Sequence, residues 1–129
     1  MRLTRNFTDD EFKCPCCGQA GISSPFVYQL QAARDIASAD FLALGDPRSV
    51  PFVITSGYRC GNHNWLVGGR PDSSHKKGLA ADIRAQTSSE RFAIVSGLIK
   101  AGFGRIGVAK NYIHVDIDMS KPQNVMWVY

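Results

Sequence analysis

The sequence lacks several features that would assign it at once to a common class of protein. It has no apolar run long enough to span a bilayer and no apolar stretch behind its first residues that could act as a secretory signal, so we expect synthesis in the cytoplasm. No basic run exceeds two residues and the net charge is only +4, which argues against a nucleic-acid partner. Histidine is scarce, with three residues in 129. The hydrophobic fraction of 44% suits one soluble domain over residues 1–129, and we expect a monomer.

Cysteine is also scarce, with four residues in the chain. Cys14, Cys16 and Cys17 form a cluster followed by Gly18, whereas Cys60 is distant in sequence. In a cytoplasmic chain such a cluster binds a metal or packs more often than it forms disulfides. A structural zinc site would need Cys60 beside the cluster. Packed thiols, or a disulfide formed after exposure to an oxidising space, are the alternatives, and the sequence leaves all three open.

Helix caps and apolar periodicity predict three helices. Capping boxes predict helices that begin after Thr8 and Thr87. Ser24 as N-cap followed by Pro25 predicts a longer helix, which should end before Gly45. The helix after Thr87 should bury one apolar face, formed by Phe92, Val95, Ile99 and Phe103.

Short β-branched segments predict a small, mostly antiparallel sheet packed with these helices, and therefore an α+β fold. The predicted strands are Phe52–Ser56, Leu79–Arg84, Arg105–Ala109, Tyr112–Asp118 and Asn124–Tyr129. Residues 57–77 are rich in glycine, asparagine and serine, and they predict a long structured loop of the kind that often binds ligands.

Two of the three histidines and one aspartate lie in or beside the predicted strands. Alternation along Tyr112–Asp118 places His114 and Asp116 on a polar face, opposite three apolar side chains. Asp82 likewise points away from its apolar neighbours, and His75 lies at the edge of the preceding loop. Three N/O ligands with a fourth position left for water form a catalytic zinc site. Spacing alone leaves both a zinc site and a coincidence open.

Several sequence blocks occur in a fixed order and form the most specific signal in the chain. They are Glu11-Phe12-x-Cys14-x-x-Cys17-Gly18, Ser56-Gly57-Tyr58-Arg59-Cys60, His63-Asn64, Val67-Gly68-Gly69, Ser74-His75-x-x-Gly78-x-Ala80-x-Asp82-Ile83 and His114-Val115-Asp116. Together they resemble the family of zinc D-alanyl-D-alanine carboxypeptidases and L-alanyl-D-glutamate endopeptidases, from about Phe7 to Asp118. That family also resembles the vancomycin-resistance dipeptidases and the hedgehog signalling domain, and phage endolysins are frequent members.

The resemblance implies a zinc enzyme that hydrolyses the stem peptide of peptidoglycan. The zinc ligands that it implies are His75, Asp82 and His114. The ion would polarise the scissile carbonyl and activate a water molecule. Arg59 matches an arginine that holds a substrate carboxylate, although a buried structural salt bridge is the alternative. Ser74 would bind substrate or steady the loop before His75, and Tyr112 would bind substrate, stabilise the oxyanion or wall the cleft.

One position departs from the family pattern. Many relatives carry Asp or Glu three residues before the last histidine ligand, where this chain has Asn111, which cannot accept a proton at neutral pH. We predict Asp116 as the general base, with orientation of a ligand histidine as its alternative role. His63 is a further candidate, either in the pocket or as a structural partner of the loop. Asn111 also leaves open a second function, a zinc-containing binding module that has lost catalysis.

The resemblance also implies where the protein would act. A lone catalytic domain without a signal suits a phage or prophage endolysin, which accumulates in the cytoplasm and reaches the cell wall when a holin opens the membrane. A positive net charge would help at an anionic envelope. Both the D-Ala-D-Ala and the L-Ala-D-Glu bond, and both a free lysin and a virion component, are consistent with the sequence.

Overall fold

The helices and strands of the chain form an α+β fold, as predicted. The computed structural model describes residues 1–46 and 49–129. The helices are two 3-10 helices, Asp9–Phe12 and Ser74–Lys77, and α1 (Ser24–Ala43), α2 (Gly61–Leu66) and α3 (Ser88–Lys100). The strands are β1 (Ile54–Ser56), β2 (Ala80–Arg84), β3 (Arg105–Val108), β4 (Tyr112–Asp116) and β5 (Val125–Val128). Within the described residues, no helix is long and apolar enough to cross a membrane.

The five strands form one sheet in the order β1-β2-β4-β3-β5. Three of its four pairings are antiparallel, which confirms the prediction, and β5 runs parallel to β3 at the edge. The parallel pairing follows from the return of the chain after β4, which brings Val125 beside Arg105 at the start of β3. In the central pairing Asp82 on β2 lies directly opposite His114 on β4. This register brings together two polar side chains that are 32 residues apart.

The apolar core joins one face of the sheet to α1 and α3. Ile113 and Val115 point into it from β4 and are fully buried, as strand alternation predicts. Helices α1 and α3 pack closely because Gly97 has no side chain. A Cβ atom there would lie 2.5 Å from the carbonyl oxygen of Ala33. Since the apolar side chains occupy one face of the sheet, the other face remains for polar groups.

The buried face of α3 agrees only in part with the prediction. Phe103 is buried and Val95 packs against the core as expected, but Phe92 and Ile99 are 69% and 53% exposed. The side of α3 that faces the core carries Ala93, Ile94, Gly97 and Leu98, of which Ala93 and Gly97 are small. The close approach of α1 explains the difference, because small side chains let two helices pack tightly whereas a phenylalanine would hold them apart.

The helix starts agree with the capping predictions, with one shift. The side chain of Thr87 accepts a hydrogen bond from the backbone of Glu90, and the carboxylate of Glu11 accepts one from the backbone N–H of Thr8 at 2.6 Å. Helix α1, however, is capped by Ser23 rather than by Ser24. Residues 57–77 were predicted as a loop, but they also contain α2 and the second 3-10 helix. Both helices are only four to six residues long, too short for a periodic apolar pattern.

Candidate active site

The polar face of the sheet brings the three predicted metal ligands together. Asp82 and His114 face each other across β2 and β4, and the second 3-10 helix places His75 above them. The Nε2 atom of His75 lies 3.3 Å from Oδ1 of Asp82. The Nδ1 atom of His114 lies 3.2 Å from the same oxygen. One ligand atom from each residue lies within 4.8 Å of those of the other two.

These separations suit a tetrahedral zinc ion. Zinc bonds of about 2.0–2.2 Å to nitrogen and oxygen place two tetrahedral ligand atoms about 3.4 Å apart. Burial alone would raise the pKa of the Asp82 carboxyl group, but hydrogen bonds with His114 and His75 outweigh it and hold the pKa far below its usual range. Asp82 is therefore an anion at neutral pH, the form that binds a cation.

The outer nitrogen of each histidine has a partner that fixes the orientation of the ring. Nδ1 of His75 lies 2.8 Å from the carbonyl oxygen of Gly57, to which it donates. Nε2 of His114 lies 2.7 Å from Oδ2 of Asp116. With its proton on the outer nitrogen, each ring could offer the inner nitrogen, Nε2 of His75 or Nδ1 of His114, to a metal ion in place of its hydrogen bond to Asp82. Metal-binding histidines show the same arrangement, with the second N–H donated to a carbonyl or carboxylate.

Close backbone contacts hold the turn that carries His75. Gly78 ends the second 3-10 helix with φ of +70°, a conformation that favours glycine. A Cβ atom at Gly78 would lie 1.9 Å from the carbonyl oxygen of Gly21. A Cβ atom at Gly57 would lie 2.6 Å from the Cα atom of Phe12. Glycine is thus required at both positions for steric reasons.

A buried carboxylate, Asp118, anchors the same turn from the far side. Its Oδ2 atom accepts hydrogen bonds from Ser74 Oγ at 2.7 Å and from Lys77 Nζ at 2.9 Å. Burial would raise the pKa of Asp118, but bonds from Ser120, Lys77 and Ser74 lower it well below its usual range. Ser74 is 3% exposed. Of the two roles predicted for Ser74, these contacts favour steadying the turn before His75.

Asp116 is buried beneath the candidate ligands, with 1% of its surface exposed. Oδ1 accepts from Arg105 Nε at 2.7 Å and from the backbone N–H of Asp118 at 3.0 Å, and Oδ2 bonds to His114. Burial would raise the pKa of Asp116, but the bonds from His114 and Asp118 and the charge of Arg105 lower it. Both oxygens thus have partners, an arrangement that favours orienting His114 over accepting a proton from water. The general-base role stays a prediction.

Arg105 is a site residue that sequence reasoning missed. Besides Asp116, its guanidinium bonds to the carbonyl oxygen of Pro122 at 2.6 Å and lies 5.0 Å from the ring of Trp127. Trp127 lies on β5, and it fits there because its neighbour on β3, Gly107, has no side chain. Strand alternation could have indicated Arg105, because it places Arg105 and Gly107 on the same face of β3. The partners of Arg105, however, come from later in the chain.

Arg59 lies at the edge of the candidate metal centre and lines a cleft of about 710 Å³. Its Nη2 atom is 3.5 Å from Oδ2 of Asp82. Nε donates to Ser56 Oγ at 3.1 Å, and Nη1 donates to Asn64 Oδ1 at 3.4 Å. The side chain is 15% exposed. It is therefore held in place and still reaches the cleft, where it could pair with an anionic ligand.

Aromatic side chains form part of the cleft wall. Tyr112, Trp127 and Tyr129 line it, with the rings of Tyr112 and Tyr129 5.5 Å apart and that of Trp127 5.5 Å from His114. Burial raises the pKa of Tyr112, and the charges of Tyr129 and Asp82 raise it further. The phenol of Tyr112 therefore stays protonated at neutral pH and can donate a hydrogen bond to a ligand.

Two other sequence candidates lie outside this constellation. Asn111 is exposed at the turn between β3 and β4, where its carbonyl oxygen accepts from the backbone of Ala85 at 3.0 Å. His63 lies on α2, and its backbone N–H donates to the sulfur of Cys60. The structure therefore brings seven predicted residues to one cleft and places these two elsewhere. The seven are Arg59, Ser74, His75, Asp82, Tyr112, His114 and Asp116.

A comparison with protein families agrees with this arrangement. The model of the family described as Peptidase M15 matches residues 5–116, a range that contains all three candidate ligands and Asp116. The chain belongs to the Peptidase M15 family. Peptidases of the M15 family are zinc-dependent metallopeptidases, so the resemblance drawn from the sequence is confirmed at the level of the family. A search of curated proteins found no match.

Proposed function

We propose that this M15 peptidase hydrolyses the stem peptide of peptidoglycan, with a zinc ion held by His75, Asp82 and His114. The observation that supports it best is the meeting of three ligand atoms, spaced 3.2–3.3 Å about Asp82, at the floor of an open cleft. A bound zinc ion would polarise the scissile carbonyl and lower the pKa of a water molecule to about 7.

The charge of the cleft supports an anionic peptide as substrate. Its lining includes four cationic side chains, Arg59, Arg70, Arg105 and Lys121, against three carboxylates, Asp72, Asp82 and Asp116, and a bound zinc ion would add to the positive excess. Stem peptides carry carboxylates, either at the terminal D-alanine or on D-glutamate. We propose that Arg59 binds such a carboxylate, because its planar fork can donate two parallel hydrogen bonds. The long contact of 3.5 Å with Asp82 leaves the guanidinium able to pair with a second anion.

The remaining side chains position the reacting groups. We propose that Asp116 holds the imidazole of His114 through Nε2, so that Nδ1 keeps a lone pair for the metal. Ser74, bonded to Asp118, holds the turn of His75 in place. Tyr112, protonated and at the cleft wall, would donate to the oxyanion that forms on the scissile carbonyl or would contact the substrate.

Digestion of purified peptidoglycan tests this proposal directly. We expect the zinc-loaded protein to release soluble fragments, and mass spectrometry identifies the bond. Free D-alanine would indicate a carboxypeptidase, and a fragment that begins at D-glutamate would indicate an endopeptidase. The variant His114→Ala should lose cleavage, whereas His63→Ala removes a histidine outside the cleft and should retain it. Intact peptidoglycan after incubation with the zinc-bound protein would contradict the proposal.

A zinc-containing binding module is the second candidate function, because Asn111 stands where many relatives carry a carboxylate. Binding of peptidoglycan without cleavage, with zinc present, would favour it. A role as phage or prophage endolysin is a further proposal, supported by the net charge of +4, which suits an anionic envelope. Lysis of permeabilised bacteria by the added protein would support this role, and absence of lysis despite peptide cleavage would count against it.

A further inference from the structure

Three cysteine side chains form a second group that could bind a metal. The group lies next to Arg59, at the start of α2. Cys14, Cys17 and Cys60 each offer a sulfur, and the three sulfur atoms lie within 4.8 Å of one another. The sulfur atoms of Cys14 and Cys60 are 3.7 Å apart. The fold thus brings Cys60 to the cysteine cluster across 46 residues of chain. This was the condition that the sequence set for a structural zinc site.

The spacing of the sulfur atoms distinguishes the possible roles of these cysteines. Four thiolates around a zinc ion at about 2.3 Å lie about 3.8 Å from one another, close to the separation of Cys14 and Cys60. Two sulfurs joined in a disulfide lie only about 2.05 Å apart. Two thiols in van der Waals contact would lie at a similar separation, so the distance between Cys14 and Cys60 alone does not decide between packing and a metal. The sulfur of Cys17, within 4.8 Å of both, favours a shared metal ion.

The backbone around Cys14 is also shaped to hold a thiolate. Gly18 adopts φ of +72° and donates its N–H to the carbonyl oxygen of Cys14 at 2.8 Å, which closes a tight turn. The N–H of Cys60 donates to the sulfur of Cys14 at 3.4 Å. Such a donor favours the thiolate of Cys14 over the neutral thiol. The thiolate is the form that binds metals.

We propose that Cys14, Cys17 and Cys60 bind a structural zinc ion, and that Cys16, whose sulfur lies outside this group of three, turns toward the ion as the fourth ligand. Cys16 lies on the same turn, between Cys14 and Cys17. The side-chain amide of Asn62 donates to the sulfur of Cys16 at 3.3 Å. Four thiolates in a tetrahedron are a common structural zinc site, with no position left for water. This site is separate from the candidate catalytic centre and uses none of its residues.

The position of Cys60 gives the ion a function in the fold. Cys60 follows Arg59 directly and caps α2, with its sulfur accepting from the backbone of His63. The neighbouring Tyr58 donates its N–H to the carbonyl oxygen of Phe12 at 2.9 Å. A zinc ion would lock these contacts by tying the N-terminal turn to the start of α2. It would thereby position Arg59 at the edge of the cleft.

Metal content and cobalt spectroscopy of the full-length, reduced protein test this proposal. We expect about two zinc ions per chain in the parent protein and about one in His114→Ala, which removes a ligand of the other centre only. With cobalt in place of zinc, His114→Ala should retain the intense charge-transfer bands of cobalt–thiolate coordination, and Cys17→Ser should weaken them because one of the four thiolates is gone. Because His114→Ala leaves all cysteines intact, the test does not depend on the folding of a cysteine variant.

Two results would overturn the proposal. The first is a His114→Ala protein that binds no metal and, with cobalt, lacks thiolate bands. The second is a Cys14–Cys60 disulfide that persists in protein purified from a reducing cytoplasm. Neither result depends on peptidoglycan cleavage, so failure of this proposal is distinguishable from failure of the proposed function.

Discussion

Asp116→Asn separates two roles for the carboxylate beneath the candidate metal centre. Asparagine keeps the shape but removes the charge that pairs with Arg105 and fixes His114. Loss of a partner that orients a metal-binding histidine lowers metal affinity by about 10–100-fold. We also expect the free energy of unfolding of the metal-free protein to fall by about 3 kcal/mol, the low end for a broken buried ion pair. The low end applies because Arg105 keeps its bond to the carbonyl oxygen of Pro122.

Two assays on Asp116→Asn distinguish the roles. Competition with a chromophoric chelator gives the zinc affinity, and peptidoglycan cleavage at saturating zinc gives the rate. We expect weaker zinc binding, with most of the rate restored once zinc is saturating. Asp35→Asn, which removes an exposed carboxylate on α1, should change neither quantity. Unchanged zinc affinity with a rate loss of about 10²–10⁴ would refute this reasoning and would assign Asp116 the role of general base.

Three further predictions concern residues around the same centre. Asp118→Asn should lower the free energy of unfolding by about 2 kcal/mol at neutral pH. Because the folded-state pKa of Asp118 is lowered, its contribution is complete above the unfolded pKa of about 4 and is lost as the pH falls further, so urea unfolding should show the difference shrinking in acid. Gly78→Ala should lower the melting temperature far more than Gly45→Ala, since both have positive φ but only Gly78 has a backbone oxygen in the way. Arg59→Lys should raise KM for a stem peptide by about tenfold with kcat less affected, since lysine keeps the charge but lacks the fork.

Each of these predictions has a clear contrary result. A stability difference for Asp118→Asn that stays constant from pH 7 to about pH 2 would mean that its charge does not stabilise the fold. Equal melting temperatures for Gly78→Ala and Gly45→Ala would mean that the turn can move away from Gly21. An unchanged KM in Arg59→Lys would assign Arg59 to the structural pairing with Asp82.

The sequence predicted which side chains share a face, and the structure adds which of them meet. Alternation placed His114 and Asp116 on the polar side of β4 without any knowledge of the neighbouring strand. That Asp82 lies opposite His114 depends on the register of β2 against β4, which forms only in the folded chain. The family motifs predicted that these side chains come together, because proteins that share the motifs also share the fold.

Other features could not be predicted from local sequence patterns, because they also depend on contacts that form only in the folded chain. The bonds of Asp118 to Ser74 and Lys77 span more than 40 residues, and no local pattern specifies them. The predicted apolar face of α3 was wrong at Phe92, because the close approach of α1 at Gly97 favours small side chains there, whereas hydrophobicity alone favours phenylalanine. The proximity of Cys60 to Cys14 likewise depends on tertiary contacts of the loop.

Anomalous X-ray diffraction at the zinc absorption edge, from crystals grown with zinc, tests the central claim most directly. We expect a peak bonded to His75 Nε2, Asp82 Oδ1 and His114 Nδ1, each at about 2.0–2.2 Å. The hydrogen bond between His114 and Asp116 should remain beside it. Absence of a peak at these atoms at saturating zinc, or zinc bound through Nε2 of His114 with Asp116 as a ligand, would contradict the proposed metal centre.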